Sequence, residues 1–138
     1  GWHIWDEAFS GTMRYSTSFD ANSDEWKKRK ASRKNLWIDF GDVREIARVK
    51  INGKDLGVKF MPPYKYRVSM NDIKEKGNLL EVEVTNLGAN RLRWNDLNKV
   101  KWKYFSDINV VSLNYKPLDA SKYKVMESGI LGPLTICK

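Results

Sequence analysis

The chain has 138 residues, of which 41% are hydrophobic and 12% aromatic, with six Trp and a single cysteine, Cys137. That length suits one domain with a sizeable core, the composition excludes a disordered chain, and a lone thiol excludes both an internal disulfide and a thiolate metal cluster. Lys plus Arg number 25 against 17 Asp plus Glu, and the resulting charge of +8 favours polyanionic partners such as nucleic acid, anionic membrane or acidic polysaccharide.

No apolar run approaches the roughly 18 residues that cross a bilayer, so no membrane partner is expected. The start lacks the basic and apolar regions of a signal peptide. Gly1 stands directly before Trp2 with no initiator Met, which predicts a piece cut from a longer chain and leaves location open.

GTMRYSTSFD, residues 11 to 20, alternates Met13, Tyr15, Thr17 and Phe19 against Arg14, Ser16 and Ser18, the period of a half-buried strand. DANSDEWKKRKASRK, residues 20 to 34, mixes turn formers with charge and has no helical period, so it is expected to be a loop. NLWIDFGD then puts Leu36, Ile38 and Phe40 on one face and Trp37 and Asp39 on the other.

VREIARVKI and DLGVKF flank Asn52 and Gly53, residue types that reach the positive φ of the tightest hairpin turns. Val49 and Ile51 alternate before this turn, and Leu56, Val58 and Phe60 after it. Pro62 and Pro63 end the second arm, and Tyr64, Tyr66 and Val68 follow in alternation with Lys65 and Arg67. MNDIKEKGN allows one helical turn at most, closing at Gly77. LLEVEVTNL turns Leu80, Val82 and Val84 inward and Glu81, Glu83 and Thr85 outward.

Residues 88 to 125 lose this pattern. Excursions longer than about 15 residues in compact domains are usually functional or disordered, and Trp94, Trp102, Tyr104 and Phe105 argue against disorder. SGILGPLTI reads as a last strand carrying Ile130, Leu131, Leu134 and Ile136, entered through Gly129 and Gly132. Short strands separated by turn chemistry, with no sustained helical period, predict an all-β antiparallel β-sandwich forming a single domain over residues 1–138.

Reactive constellations are sparse. His3 is the only histidine and lies near the terminus, so nucleophilic catalysis of the Ser-His-Asp or Cys-His kind is not expected. Asp20, Asn22 and Asp24 have the one-three-five spacing of a calcium loop, but Glu25 and Ala31 stand where an EF-hand needs Gly and a bidentate Glu. A lone structural calcium on loop carbonyls and one Asp is the most this stretch allows, and no cofactor is expected. Glu81 and Glu83 share one face of a strand about 7 Å apart, near the separation of a glycosidase acid and base, yet they belong to its outward half, where charge serves solvation. No phosphate-binding loop occurs.

FSGTMRYSTSF, then LWIDFGDVREIARVKINGKDLGVKFMPPYKYRVS, then NDIKEKGNLLEVEVTNLGANRL, and last SGILGPLTI, together resemble a known domain. The order is similar to that of the galactose-binding-like jelly-roll sandwich that accompanies the barrel in large glycoside hydrolases. The likeness is nearest to the C-terminal region of family 106 α-L-rhamnosidases and looser to the sugar-binding domain of family 2 glycosidases. Residues 93 to 124 lie outside it. The resemblance implies a secreted or periplasmic parent that degrades polysaccharide. Its catalytic carboxylates would lie on a barrel domain, the partner of this piece, which would itself contribute no catalytic residue.

Sugar recognition needs Trp or Tyr beside Asn, Asp or Arg on one rim. NRLRWND supplies Asn90, Arg91, Trp94 and Asp96; Trp102 and Tyr104 follow, and Tyr64, beside Pro63, could shape the same rim. Asn86, Asn90 and Arg91 could instead bond loop backbone. Trp94 could plug the sandwich end, and the outward Trp37 could cover a sheet edge or a neighbouring domain. The expected function is a carbohydrate-binding or structural accessory domain, with carbohydrate, including acidic polysaccharide, as partner. The alternative is a polyanion or nucleic-acid binder using WKKRKASRK, residues 26 to 34, a run whose plain reading is solvated charge. A free-standing hydrolase using Glu81 and Glu83 is a third class.

Overall fold

The computed structural model describes residues 1–32, 35–104 and 116–137, excluding the Cys137 side chain. Arg33, Lys34 and Phe105, discussed above, lie outside the described residues.

A 3₁₀ turn at Trp2–Ile4 leads to β1 (Thr12–Phe19), α1 (Asp24–Ala31), β2 (Leu36–Asp39), β3 (Val43–Arg44), β4 (Ile46–Ile51), β5 (Lys54–Lys59) and β6 (Lys65–Val68). A second 3₁₀ turn at Met70–Asp72 precedes β7 (Asn78–Thr85), α2 (Ala89–Leu97), β8 (Gly129–Ile130) and β9 (Thr135–Cys137). All pairings are antiparallel and form one sheet in the order β1-β7-β4-β5, a second in the order β6-β2-β9, and a β3-β8 pair. The protein is an all-β antiparallel sandwich.

Period-two alternation explains the core. Ala47, Val49 and Ile51 of β4 and Leu80, Val82 and Val84 of β7 are buried with Leu36 and Ile38 of β2, Phe40, and Tyr66 and Val68 of β6 in one cluster. Phe40 meets Tyr66 edge to face, centroids 5.7 Å apart. The two sheets are also tied by hydrogen bonds: the Tyr66 hydroxyl donates to the Ala47 carbonyl at 2.7 Å and the Tyr64 hydroxyl to the Glu45 carbonyl. Burial pushes the Tyr66 hydroxyl up to about 12. At the hairpin, Asn52 and Gly53 take φ of 51° and 81°, as that turn requires.

Buried asparagines close both ends of β7. At its start, the Asn78 side chain accepts from Lys74 N–H at 2.8 Å and donates to the Lys74 carbonyl at 2.7 Å, while Asn52 donates to Asn78 and accepts from Leu79 N–H, both at 2.9 Å. Just past its end, Asn86 accepts from Gly11 N–H and donates to the Phe9 carbonyl, both at 2.9 Å.

Four expectations need correction. Residues 24–31 are helical, not loop: Asp24 and Glu25 open α1 and Lys28, Arg29 and Lys30 close it, which complements the helix dipole, and Glu25 pairs with Arg29 at 3.1 Å. Its single apolar anchor, Trp26, packs on Phe19 with centroids 6.0 Å apart, so no apolar stripe exists to reveal it. Residues 89–97 form α2, again a helix with polar faces. The β4–β5 register shifts between Val49 and Lys50, so Val58 falls opposite Arg48 on the outer face and is exposed, as is Phe60. Finally, SGILGPLTI divides into β8 and β9 in different sheets, because Leu131 and Gly132 N–H both bond the Asp42 carbonyl, at 2.8 and 3.0 Å.

On the outer face of the larger sheet, Arg14 pairs with Glu83 and Arg48 with Asp55, each at 2.6 Å. The Arg14 hydrogen bond holds the Glu83 carboxyl below its usual range.

Truncation should separate the two faces. Phe40→Ala is expected to cost about 3–5 kcal/mol of unfolding free energy in a denaturant titration, and Val58→Ala about 0.5 kcal/mol or less.

Candidate functional site

The predicted rim is built on α2 and the segment after it. α2 is anchored by two side chains. Asn90, 2% exposed, donates to the Met126 carbonyl at 2.8 Å and accepts from Met126 N–H at 2.7 Å. Arg93 donates to the Tyr123 carbonyl at 2.9 Å and pairs with Glu7 at 3.2 Å. The helix closes with Lys99 at φ 55° and Val100 N–H on the Asn95 carbonyl at 2.8 Å, which sends the chain back along the helix.

Asp96 fixes the returning segment. Its carboxylate accepts from the Trp102 indole N–H at 2.7 Å and from Ala120 N–H at 2.7 Å, and pairs with Lys103 Nζ at 2.9 Å. Burial alone would raise this carboxyl, but the donors Ala120, Lys103 and Trp102 together hold it below the usual carboxylate range. The result is an open groove of about 210 Å³ lined by Asp96, Val100, Lys101, Trp102 and Lys103.

The predicted residues divide accordingly. Arg91 and Trp94 stand together on the exposed side of α2, the guanidinium 5.6 Å from the ring centroid. Trp102 lines the groove with the Lys103 ammonium 4.9 Å from its ring, and Tyr104 is 75% exposed nearby in sequence. Asn90 and Asp96 have their polar atoms taken up by the protein itself. Tyr64 is 2% exposed and belongs to the core between the sheets, not to the rim. Lys101 and Lys103 were not singled out from the sequence, although Lys-Trp-Lys at 101 to 103 interleaves charge with an aromatic ring.

Other candidates are placed as firmly. His3 accepts from Ser128 N–H at 3.2 Å, and Asp20 accepts from Gly77 N–H at 2.9 Å while Asp24 begins α1. Among the described residues no three His, Cys, Asp or Glu side chains gather as a metal site. Nor is any helix there long and apolar enough to cross a membrane.

No family model matches the chain. Over 84 residues it is 43% identical to the "Putative beta-glucuronidase" of Formosa agariphila, a match covering 61% of this chain and 7% of that protein. In structure it is similar to a rhamnosidase from Novosphingobium sp. PP1Y, with a TM-score of 0.66 and 23% identity over 94% of this chain and 11% of that one. Its fold is that of a β-sandwich carried within glycoside hydrolases. A lesser likeness, TM-score 0.46 and 25% identity over 57% of this chain, is to the Bifidobacterium dentium beta-glucuronidase, of which it covers 12%. The sandwich thus spans only a small part of each of these three proteins.

Asp96 gives this sandwich a measurable pH dependence. Its folded pKa is depressed, so its contribution to stability is complete above the unfolded value of about 4 and is lost as pH falls through the folded value. Asp96→Asn should lower unfolding free energy by about 1–3 kcal/mol at neutral pH, and the gap from wild type should narrow below about pH 4 in denaturant titrations at stepped pH.

Proposed function

We propose that this domain is a non-catalytic accessory module of a larger polysaccharide-degrading glycosidase, and that it holds acidic glycan chains in the groove beside α2. The observation that carries this reading is the Asp96 clamp, which presents Trp102 and Lys103 along one open groove with Lys101. The Lys101 ammonium in one groove with the Trp102 ring suits a sugar bearing a carboxylate or sulfate, while Lys103, paired with Asp96 and donating to the Leu118 carbonyl, holds the ring in place; the net charge of +8 favours encounter with such a polymer. Arg91, Trp94 and Tyr104 extend the surface. The description of the Formosa agariphila relative as a glucuronidase agrees with a sugar acid as ligand.

The non-catalytic part of the reading has its own support. A glycosidase acid needs a carboxyl raised toward neutrality, whereas Glu83 is held ionised by Arg14. The nucleic-acid alternative gains little from α1, because Trp26, the aromatic within its basic run, is packed on Phe19.

A second reading, bracing of a catalytic domain, is favoured by Val58, Phe60 and Met61, which stand exposed at and just beyond the β5 sheet edge, Phe60 at 67%.

Calorimetric titration of the isolated chain with a galacturonate hexamer separates the two. Binding is expected, weakened about threefold to tenfold by Lys101→Ala and by Tyr104→Ala, and reduced by added salt. No binding contradicts the glycan reading and leaves the brace, and binding indifferent to both substitutions contradicts the groove as its site.

A further inference from the structure

Trp5, 80% exposed, follows the N-terminal 3₁₀ turn and has no strand to hold it; three further tryptophans outside the core differ in what lies on their rings. Arg91 sits over Trp94 and Lys103 over Trp102, while among the described residues no cation lies over Trp37. Trp37 is on β2, the central strand of the β6-β2-β9 sheet, with neighbours paired on both sides. Its immediate neighbours Leu36 and Ile38 are buried, so it points away from the core, and it remains 40% exposed. A large apolar ring held on a doubly paired strand loses little freedom on contact with a ligand, which a ring on a loop does not offer.

The polar groups around it are arranged for one kind of ligand. Arg67 of β6 lies directly opposite Trp37 in the register, and Lys65 lies opposite Asp39, so all four share the outer face. Lys65 and Asp39 neutralise one another at 3.2 Å, and Asp39 is further occupied by Gly41 N–H at 2.9 Å. Arg67 makes no ion pair among the described residues. Its guanidinium is steadied by Asn35, whose side-chain oxygen, turned toward it, accepts from Nη2 at 2.5 Å and from Nε at 3.1 Å. Among the described residues that leaves the Nη1 donors unspent beside an indole that is 40% exposed, within the reach of directly opposed cross-strand side chains.

We propose that this outer sheet face is a glycan platform separate from the α2 groove, on which Trp37 stacks a pyranose ring and Arg67 takes the carboxylate of a uronic acid. It rests on the function proposed above only for the class of ligand; the surface and its residues are different. Asp39 and Lys65, already paired, remain to meet hydroxyls on the next ring, since the strand rise sets them about 7 Å along from the Trp37–Arg67 row.

The test is a titration of the ¹⁵N-labelled chain with a galacturonate hexamer, following the indole N–H signals of its six tryptophans, that of Trp37 assigned with Trp37→Phe. The Trp37 signal is expected to move, and Trp37→Ala to weaken binding about tenfold. Arg67→Gln, a change at an exposed position, should weaken binding of the acid hexamer and leave that of its methyl ester unchanged. A stationary Trp37 signal, or an equal loss for acid and ester in Arg67→Gln, overturns the platform. Movement confined to Trp102 overturns it while preserving the groove; an absence of any movement removes both.

Discussion

Side-chain amides at the two ends of β7 are the constraint on which the molecule depends. β7 has a paired strand on either side, and its inward residues fill the centre of the core. A strand in that position must hand its chain to loops whose backbone groups have no ladder to join, and unpaired buried backbone groups cost about as much as a lost hydrogen bond. Asn78 and Asn52 serve as that missing backbone at one end, and Asn86 does so at the other, with Asn90 extending the same device to α2. Each amide both donates and accepts, which a carboxylate or a hydroxyl of similar size does less completely.

With the ends closed this way, the surface is free to vary. The outer face of the larger sheet is a lattice of paired charges around Arg14, Glu83, Arg48 and Asp55, suited to water. The outer face of the smaller sheet instead carries Trp37, 40% exposed, beside Arg67, which has no ionic partner among the described residues. The α2 edge carries Trp102 and Lys103, both set by Asp96. These are the two surfaces on which the proposed binding of an acidic saccharide rests.

Much of the sheet was legible from residue order, because alternation and turn chemistry are local. Leu36, Ile38 and Phe40, or Leu80, Val82 and Val84, face inward for no reason beyond a period of two, and Asn52-Gly53 needs only its own φ values. What stayed hidden is non-local or singular. α1 is fastened through one aromatic ring, Trp26, and α2 through Asn90 and Arg93, so neither shows a stripe. The β5 register shift accompanies a bond from Gly57 N–H to Asp55 at 2.8 Å with Gly57 at φ 102°, and it turns Val58 outward against the simple alternation. Asp96 looked like a free ligand group because its partners at 102, 103 and 120 are recognisable only once the chain has folded back. Asn86 and Asn90 were readable as backbone-bonding residues from their chemistry, but not which carbonyl each would find.

Native-state hydrogen exchange tests the central claim most directly. If side-chain amides replace the ladder at the ends of β7, then Gly11, Lys74 and Met126 N–H outside the strand and Leu79 N–H at its first rung, all bonded to asparagine oxygens, should exchange nearly as slowly as the amides at the centre of β7. Exchange of these four at the rate of exposed loop amides, with the centre of β7 still protected, would contradict it.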